Sequence, residues 1–370
     1  MKHNIGIDAR MVCHTGIGTY LRGLFASFVK MGIAKELDIS LYGNKKTSEE
    51  LMEFPFYPFR SGIYSLQEQF EYPFRVRHCR LWHSPHYNVP LVKGRAKLVV
   101  TIHDLIHWIF RKEFFTRLQV FYAGQMLRRA IGSADHIIAV SGKTRDDLVH
   151  EFDADPEKIS VVYEGVEEKF RPIEDEDAIQ QVKSKYGLPE QYFLYVGSLK
   201  PHKNVHTLIR IFKRLTQQEL VESPLVLVGK KDKRYPPGFE TLAQLKNEKG
   251  LIHIPYVDGA DLPALYSGAL ALVHLSLYEG FGLTLLEAMA CGTPVIAARS
   301  ASIPEVVGEA ALLVNSCSDR EIMEAIVRVE KFAAIREQLS QKGRQQVRRF
   351  RWDEAARQTA EIYERVLTQP

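Results

Sequence analysis

The chain has 370 residues, in which 49 Lys and Arg nearly balance 45 Asp and Glu, giving a formal net charge of +4. Hydrophobic residues make up 45% and charged residues 25%, proportions that exclude disordered, collagen-like and supercharged chains. The length predicts two domains that each bury a core, and the small net charge gives no support for nucleic-acid binding.

The first half of the chain alternates short apolar runs with amphipathic segments, a pattern typical of repeated βαβ units and a mostly parallel sheet. Strands are predicted over residues 5–9, 37–42, 97–102, 136–140 and 159–163. Helices are predicted over 18–31 and 117–130, and a third begins with Ser141 as its N-cap. We therefore assign residues 1–168 to an N-terminal Rossmann-like domain.

Charged and polar residues surround Pro172 between residues 169 and 185, and no apolar period survives there, so we interpret 169–185 as a linker. The alternation then restarts. Strands are predicted over 192–196, 225–228, 251–255, 270–275 and 294–298, and helices over 204–215, 239–248, 262–268 and 284–290. Residues 186–350 are predicted to form a second Rossmann-like domain, and 351–370 a C-terminal helix that packs back on the first. The predicted fold class is α/β, with two facing doubly wound domains and a ligand cleft between them.

The compartment is suggested by what the sequence lacks. Its four cysteines lie far apart and form no Cys-x-x-Cys pair, which favours a reduced compartment over a disulfide framework or a structural zinc site. No apolar stretch approaches the ~20 residues of a membrane-spanning helix, and the first residues show no signal-peptide pattern. We expect a cytoplasmic protein.

The most informative motif is the segment 279–287, which begins and ends with a glutamate. Glycines within it free the backbone just before an apolar helix, so the amides of Phe281, Gly282 and Leu283 can point at an anion. In a continuous helix, Glu279 and Glu287 would lie about 12 Å apart, too far for a glycosidase carboxylate pair but suited to a long, hydroxyl-rich ligand. A glycine loop followed by a solvated or ion-paired glutamate explains the segment equally well.

Two other loop-to-helix junctions carry groups suited to anions. Lys203 precedes a helix that Asn204 could cap, a place where its ammonium could bind an anion, although most surface lysines have no such role. Gly16 and Gly18 follow the first predicted strand, where a tight turn is the alternative explanation. Leu21 stands where a dinucleotide motif has its third glycine, so a nicotinamide cofactor is poorly supported.

Histidines mark the end of the apolar strand predicted over 97–102. His103 lies at its carboxyl end, the edge at which α/β active sites are built, and we expect Asp104 to hold the loop or the imidazole. His83 and His86 lie beside Pro85, and we interpret them as a loop rim rather than a metal pair. No metal site is predicted.

Several of these motifs together resemble glycosyltransferase family 4, a large family of retaining nucleotide-sugar glycosyltransferases. The similar segments are 7–10, 15–20, 83–86, 100–105, 140–141, 195–204, 279–297 and 350–352. The resemblance covers nearly the whole chain, and within the family it is strongest for the bacterial mannosyltransferase-like branch. It implies the GT-B fold, with the acceptor on the N-terminal domain and the nucleotide sugar on the C-terminal domain.

The resemblance also implies roles for matching positions. Glu279 would contact donor-sugar hydroxyls, Glu287 would accept hydrogen bonds from the ribose, and His103 would lie near the transferred sugar. Catalytic roles are therefore expected for His103, Lys203 and Glu279. Donor contacts are expected for Gly16, Gly18, Ser198, His202, Phe281, Gly282, Leu283 and Glu287.

One part of the family pattern is missing. Many relatives carry an arginine at the position of Ser198 or of His202, and this chain has neither. Lys200 or a protonated His202 could substitute as the cation that holds the diphosphate, so the phosphate clamp departs from the pattern.

The implied reaction is retaining transfer of a hexose, with mannose favoured, from a nucleoside diphosphate sugar to a hydroxyl of a glycan or lipid-linked acceptor. GDP-mannose is the favoured donor and a UDP-sugar the alternative, and the setting is polysaccharide or lipopolysaccharide synthesis. No cofactor or metal ion is expected, because Lys203 and the loop amides supply the positive charge. A nucleotide-sugar epimerase and a non-catalytic carbohydrate-binding relative stay open as alternatives.

Aromatic residues crowd the segment 54–74 among Arg60, Arg75 and Arg77, and more follow over 108–115. They could offer a basic, aromatic face to an anionic membrane or a lipid-linked acceptor, which would place the protein peripherally on the inner face of the membrane. Packing within the first domain is the alternative explanation.

Overall fold

The computed structural model describes residues 4–44, 51, 53–230 and 250–369. The chain divides into two compact units: unit 1 is Met1–Gly165 with Phe350–Pro370, and unit 2 is Val166–Arg349. Each unit is built on a parallel sheet with helical crossovers, so the predicted α/β class with two Rossmann-like domains is confirmed. The helix predicted over 239–248 lies outside the described residues. Within them, no helix is both long and apolar enough to cross a membrane.

The described sheet of unit 1 has the strand order β3-β2-β1-β4-β5-β6-β7, all parallel. The strands are β1 (Ile5–Asp8), β2 (Ile39–Gly43), β3 (Phe56–Pro58), β4 (Leu81–Ser84), β5 (Lys97–Ile102), β6 (His136–Ala139) and β7 (Ile159–Val161). The order reverses between β1 and β4, the switch point at which such sheets hold ligands. β3 and β4, of three and four residues, were not predicted from the sequence.

Three of the described α-helices of unit 1 begin at a side-chain cap, which is Ser65, Thr116 or Ser141. Ser141 caps its helix by accepting from the amide of Thr144, as predicted, and Thr116 forms a capping box with Gln119. The helices are Ile17–Lys30, Ile33–Glu36, Leu66–Val76, Ile106–Ile109, Arg117–Ser133 and Gly142–Phe152, with a 3-10 turn at Pro156–Lys158.

A C-terminal helix, Trp352–Thr368, completes unit 1 and packs on the helix Ile17–Lys30. A Cβ on Gly23 would lie 2.2 Å from the Trp352 ring, so only glycine admits the indole there. Farther along, the Tyr363 hydroxyl lies 2.6 Å from His83 Nδ1. His83 is a wholly buried residue of β4, where burial lowers its pKa to about 3. The interpretation of His83 as a loop rim is therefore wrong.

The described sheet of unit 2 has the order β10-β9-β8-β11-β12-β13, again all parallel. Its strands are β8 (Phe193–Val196), β9 (Leu225–Val228), β10 (Leu251–Ile254), β11 (Ala271–His274), β12 (Val295–Ala298) and β13 (Ala311–Val314). Most of their residues are buried, as expected for a parallel sheet covered on both faces. The order reverses between β8 and β11, so the loops after these two neighbouring strands meet at one edge.

The predicted linker over 169–185 is wrong in its second half, because Glu176–Tyr186 is a helix. The side chain of Asp175 accepts from two amides at its start, and Gly187 ends it in the left-handed conformation. Val182 and Tyr186 pack against the core of unit 2. The helix therefore has a short apolar face, although most of its residues are charged or polar. The other helices described in unit 2 are Val205–Gln217, Leu262–Ser267, Leu283–Ala290, Ile303–Val307, Asp319–Lys331 and Ala333–Val347, with a 3-10 turn at Pro201–Lys203.

Candidate functional site

Lys203 and Glu279 meet at the carboxyl edge of the unit 2 sheet. Lys203 ends the 3-10 turn that follows β8, and Glu279 lies on the loop after β11. The Lys203 ammonium donates to both carboxylate oxygens of Glu279, at 2.6 and 2.7 Å. Burial alone would raise the pKa of Glu279, but the charge of Lys203 and a hydrogen bond from His274 hold it well below its ordinary value. The two residues therefore form an ion pair, and Glu279 is only 8% exposed.

His274 is the third member of this cluster, and the sequence analysis missed it. Its Nε2 lies 2.7 Å from Glu279 Oε1 and 3.0 Å from Ser276 Oγ. The ring is parallel to that of Tyr195 on β8, with the ring centroids 6.2 Å apart. A signal was present in the sequence, because His274 ends an apolar strand in the same way that His103 follows one.

The glycine loop after Glu279 leads directly into the helix Leu283–Ala290. Gly282 is the N-cap at φ +111°, a conformation that favours glycine, and no side chain caps the helix. The buried Ser302 hydroxyl donates to the carbonyls of Glu279 and Phe281, at 2.9 and 3.0 Å, which fixes the loop. The amides of 281–283 thus lie at a helix N-terminus, an arrangement suited to an anion. Because the helix begins only at Leu283, the distance expected for a continuous helix does not apply.

Glu287 lies on that helix in a different electrostatic environment from Glu279. It accepts a hydrogen bond from the Tyr266 hydroxyl at 2.9 Å. Burial raises the pKa of Glu287 to about 7, because this single neutral partner compensates only part of the lost hydration. The two glutamates of the motif therefore differ in charge near neutral pH: Glu279 is ionised, and Glu287 is partly protonated.

The loop between β8 and Lys203 is held mainly by its backbone. The carbonyl of Ser198 accepts from the Tyr195 hydroxyl at 2.8 Å, and the carbonyl of the buried His202 accepts from the amide of Leu277 at 2.8 Å. Asn204 is at the N-cap of the next helix, but it is left-handed at φ +55° and its side chain makes no capping bond. The expected cap is therefore wrong, whereas donor contacts by Ser198 and His202 stay predictions.

Gly16 and Gly18 need to be glycine for two different reasons. Gly16 is the N-cap of the helix Ile17–Lys30 at φ +73°. A Cβ on Gly18 would lie 2.4 Å from the carbonyl oxygen of Val12, which also accepts from Arg22. These contacts describe a tight strand-to-helix turn in unit 1, and contact of the two glycines with a donor stays a prediction.

His103 directly follows β5, with both ring nitrogens engaged. Its Nδ1 lies 3.0 Å from Glu164 Oε1, and its Nε2 lies 3.0 Å from the carbonyl oxygen of Pro85. Since a carbonyl only accepts, Nε2 carries a proton. Asp104 instead accepts from the amide of Ile106, so it holds the loop, and Glu164 orients the imidazole. The ring of His103 is thereby fixed in position.

The Asp8-Ala9-Arg10 segment forms a buried ion cluster in unit 1. The Arg10 guanidinium donates to Asp8 at 2.6 Å and to Glu68 at 2.9 Å, and it lies 3.9 Å above the Phe59 ring. Burial raises the pKa of Glu68, although Asn88 and Arg10 donate to it. The cluster fixes the chain between β1 and the Gly16 turn.

Metal and thiol chemistry find little support within residues 4–44, 51, 53–230 and 250–369. No group of three or more His, Cys, Asp or Glu side chains in this part could hold a metal ion. The four cysteines are free, and burial raises the pKa of Cys291 to about 12. Cys291 is therefore a protonated thiol.

Comparisons with known proteins agree with the fold and the motifs. Residues 177–346 match the family model "Glycosyl transferases group 1", and residues 16–170 match "Glycosyltransferase Family 4". The chain is 30% identical to O-antigen chain mannosyltransferase B of Escherichia coli over 76% of this chain and 74% of that protein. It is 28% identical to the O-antigen chain mannosyltransferase RfbU of Salmonella typhimurium, over 82% and 78%.

A solved structure shows the same fold. Sucrose-phosphate synthase from Thermosynechococcus elongatus superposes with a TM-score of 0.79, at 21% identity over 98% of both chains. The GT-B assignment is confirmed.

Proposed function

This chain belongs to glycosyltransferase family 4, and from that premise we propose that it transfers mannose, with retention, from a nucleoside diphosphate donor to a glycan or lipid-linked acceptor. The proposed donor is GDP-mannose, and the proposed setting is the synthesis of cell-surface polysaccharide such as O-antigen. Support comes from two O-antigen mannosyltransferases, each similar over at least three quarters of this chain. That the chain is a glycosyltransferase follows from the family itself.

The observation that carries the proposal is the ion pair of Lys203 and Glu279 beside the helix N-terminus at Gly282. A sugar nucleotide presents hydroxyls on one side of its anomeric carbon and a diphosphate on the other. Glu279 can accept from the hydroxyls, while Lys203 and the amides of 281–283 neutralise the diphosphate as the glycosidic bond breaks. Both ends of the reacting bond then have complementary partners within one small cluster.

The ion pair also sets the order of events at the site. Without a donor, Lys203 is neutralised by Glu279, so a diphosphate must compete for the ammonium. When it succeeds, Glu279 loses two hydrogen bonds and can take sugar hydroxyls in their place. The leaving phosphate then accepts the acceptor's proton, so this scheme needs no carboxylate nucleophile and no metal ion.

The proposal also covers a peripheral contact with the membrane, made by an exposed apolar face of unit 1. We define this apolar face by seven side chains that are 48 to 85% exposed: Leu66, Phe70, Phe74, Leu91, Val92, Leu118 and Phe121. Only part of the aromatic segment 54–74 contributes to this face, because Phe54, Phe59 and Tyr72 are buried. Three members of the face lie four residues apart on the helix Leu66–Val76, so they form one stripe.

The apolar face has three parts, which are the helix Leu66–Val76, the segment 91–92 and the helix Arg117–Ser133. Hydrogen bonds join these parts. The Gln69 side chain accepts from the amide of Leu91, and Arg129 donates to the carbonyl of Leu91. Residues 60–133 hold 12 Lys and Arg against 4 Asp and Glu, a net +8, whereas the whole chain is +4. Exposed apolar side chains in a segment of net positive charge fit an anionic lipid surface.

Vesicle flotation tests the membrane contact. The protein should float with vesicles that contain anionic lipid, and the double variant Phe70→Ser, Phe74→Ser should float much less. Phe332→Ser is the matched control, because Phe332 is 54% exposed in unit 2. Equal flotation of the double variant and the wild type would overturn the membrane contact without affecting the proposed reaction.

A donor screen tests the reaction. Thermal shift with GDP-, UDP- and ADP-sugars identifies the donor, since a ligand that binds the folded state raises its Tm. GDP-mannose should give the largest shift and should be hydrolysed slowly without an acceptor. A new nucleotide sugar formed in the absence of acceptor would indicate an epimerase, and binding without any hydrolysis would indicate a non-catalytic relative. A largest shift with a UDP-sugar would refute the proposed donor base.

A further inference from the structure

His274 contacts the site through one ring nitrogen while the other has no partner. His274 is 1% exposed, and its Nδ1 has no hydrogen-bond partner in the described part of the chain. A proton on Nδ1 would therefore be a buried, unsatisfied donor, which is costly. Its Nε2 faces Glu279 Oε1, which as a carboxylate oxygen only accepts. Nε2 therefore carries the proton and donates it to Glu279.

The position of this donor is fixed by the sheet. His274 is the last residue of β11, whose residues are all buried, and its ring is stacked on Tyr195 with an interplanar angle of 12°. The Tyr195 ring is in turn held by the bond from its hydroxyl to the carbonyl of Ser198. Ser276 Oγ shares the Nε2 proton as a second acceptor. Unlike the flexible Lys203, His274 offers its hydrogen bond in one direction only.

Lys203 and His274, the two donors to Glu279, respond differently to a bound diphosphate. In the proposed reaction the diphosphate attracts Lys203, because both are charged. The buried His274 ring is held at the end of β11 and cannot follow the phosphate as Lys203 can. Glu279 Oε1 therefore keeps its bond to His274, while Oε2, whose hydrogen-bond partner in the described part of the chain is Lys203, is released.

We propose that His274 is a positioning residue, which holds Glu279 Oε1 so that Oε2 is presented to the hydroxyls of the donor sugar. The inference rests on the proposed function, since it assigns Glu279 to the sugar. A fixed donor suits this task, because it holds the carboxylate in one orientation while Lys203 turns to the diphosphate.

Two variants separate orientation from packing. His274→Phe keeps a ring beside Tyr195 but removes the donor, whereas Gln in His274→Gln places an amide N–H near the position of Nε2. His274→Phe should lower kcat about 10- to 100-fold, with little change in the donor KM or in the affinity for free GDP or UDP. His274→Gln should recover most of kcat. If His274→Gln is as impaired as His274→Phe while both keep the wild-type Tm, the proposal is wrong.

A double variant tests whether His274 acts through Glu279. Adding His274→Phe to Glu279→Ala should cause no further loss, because the group to be positioned is gone. A full additional loss would contradict the proposal. If the wild type transfers a sugar other than mannose, the proposed donor is wrong, but the same comparison still decides the role of His274.

NMR of ¹⁵N-histidine protein gives a readout that needs no turnover. A protected Nε2-bound proton, identified by its loss in His274→Gln, should persist when GDP or UDP binds. Loss of that proton from the wild-type spectrum on nucleotide binding would show that Glu279 leaves His274, and the proposal would fail.

Discussion

Nucleotide affinity should increase as the pH rises through neutrality, with Glu287 as the cause. Burial raises the pKa of Glu287 to about 7. Its ionised fraction is therefore about one tenth at pH 6 and nine tenths at pH 8. In the proposed site, the carboxylate accepts hydrogen bonds from the ribose, which the protonated acid does less well. The association constant should then rise up to about 10-fold, or about 1.4 kcal/mol, over this range.

Glu287→Gln is the perturbation that isolates this effect. The amide is of similar size and can still accept from Tyr266, but it does not titrate. Calorimetry with GDP and UDP at pH 6, 7 and 8 should show weaker binding to the variant at pH 8 and a flatter pH dependence. Titration of the nucleotide's own phosphate is common to both proteins, so it cancels in their ratio. The same pH dependence in both proteins would refute the ribose contact of Glu287.

The free energy of unfolding should change with pH in the opposite direction to the nucleotide affinity. The pKa of Glu287 is raised above its ordinary value of 4.5, so the unfolded chain ionises first. The stabilisation of the folded state that Glu287 contributes is intact below about pH 4.5 and is lost as the pH rises through about 7. At pH 8 the ligand-free Glu287→Gln variant should therefore have a higher Tm than the wild type, while binding nucleotide less tightly. A lower Tm at pH 8 would contradict this assignment of charge.

Four other changes test the rest of the site. Glu279→Ala should reduce turnover by about 100-fold or more, with little loss of affinity for free GDP, and wild-type turnover would exclude its sugar contact. Lys203→Met should lower both the Tm and the affinity for the free diphosphate, because it leaves the buried Glu279 without its cation. An unchanged affinity for GDP would show that the diphosphate binds elsewhere. Gly282→Ala should destabilise unit 2 by about 1–3 kcal/mol, because φ is +111° there, and a wild-type Tm would show that the loop relaxes. Chelation of divalent cations should leave the rate unchanged, and a loss that added metal restores would refute a metal-independent mechanism.

Apolar periodicity predicted most of the strands and helices, but not the 11-residue helix Leu66–Val76. β5 has the predicted bounds, and Ser141 caps its helix as expected. β4 was not predicted although it is as long as β1, because two of its four residues are polar and one of them is a buried histidine. The helix Glu176–Tyr186 was taken for linker because its apolar face is formed by few residues among many charges.

The site was predictable only where a motif marks it. The glycines and glutamates of 279–287 and the nearby Lys203 could be found, since loops after neighbouring strands share an edge. The partners of those residues could not be found from the sequence. Tyr266, Ser302 and Glu164 lie far along the chain from the groups they contact, so only the folded structure brings them together. The protonation states could not be predicted either, because Glu279 and Glu287 are the same residue type and differ in their partners, which are the charged Lys203 and the neutral Tyr266 hydroxyl.

The discontinuity of unit 1 has a consequence for biosynthesis. On the ribosome, residues 4–165 emerge long before the helix that fills the groove at Gly23 and bonds to His83. Unit 2 is one uninterrupted stretch and can fold as soon as it emerges. The nascent first unit must meanwhile keep apolar surface open, including the site that receives Trp352. A chaperone that shields this surface during translation should therefore raise the yield of folded enzyme, and a stop codon just before Phe350 should leave an aggregation-prone product.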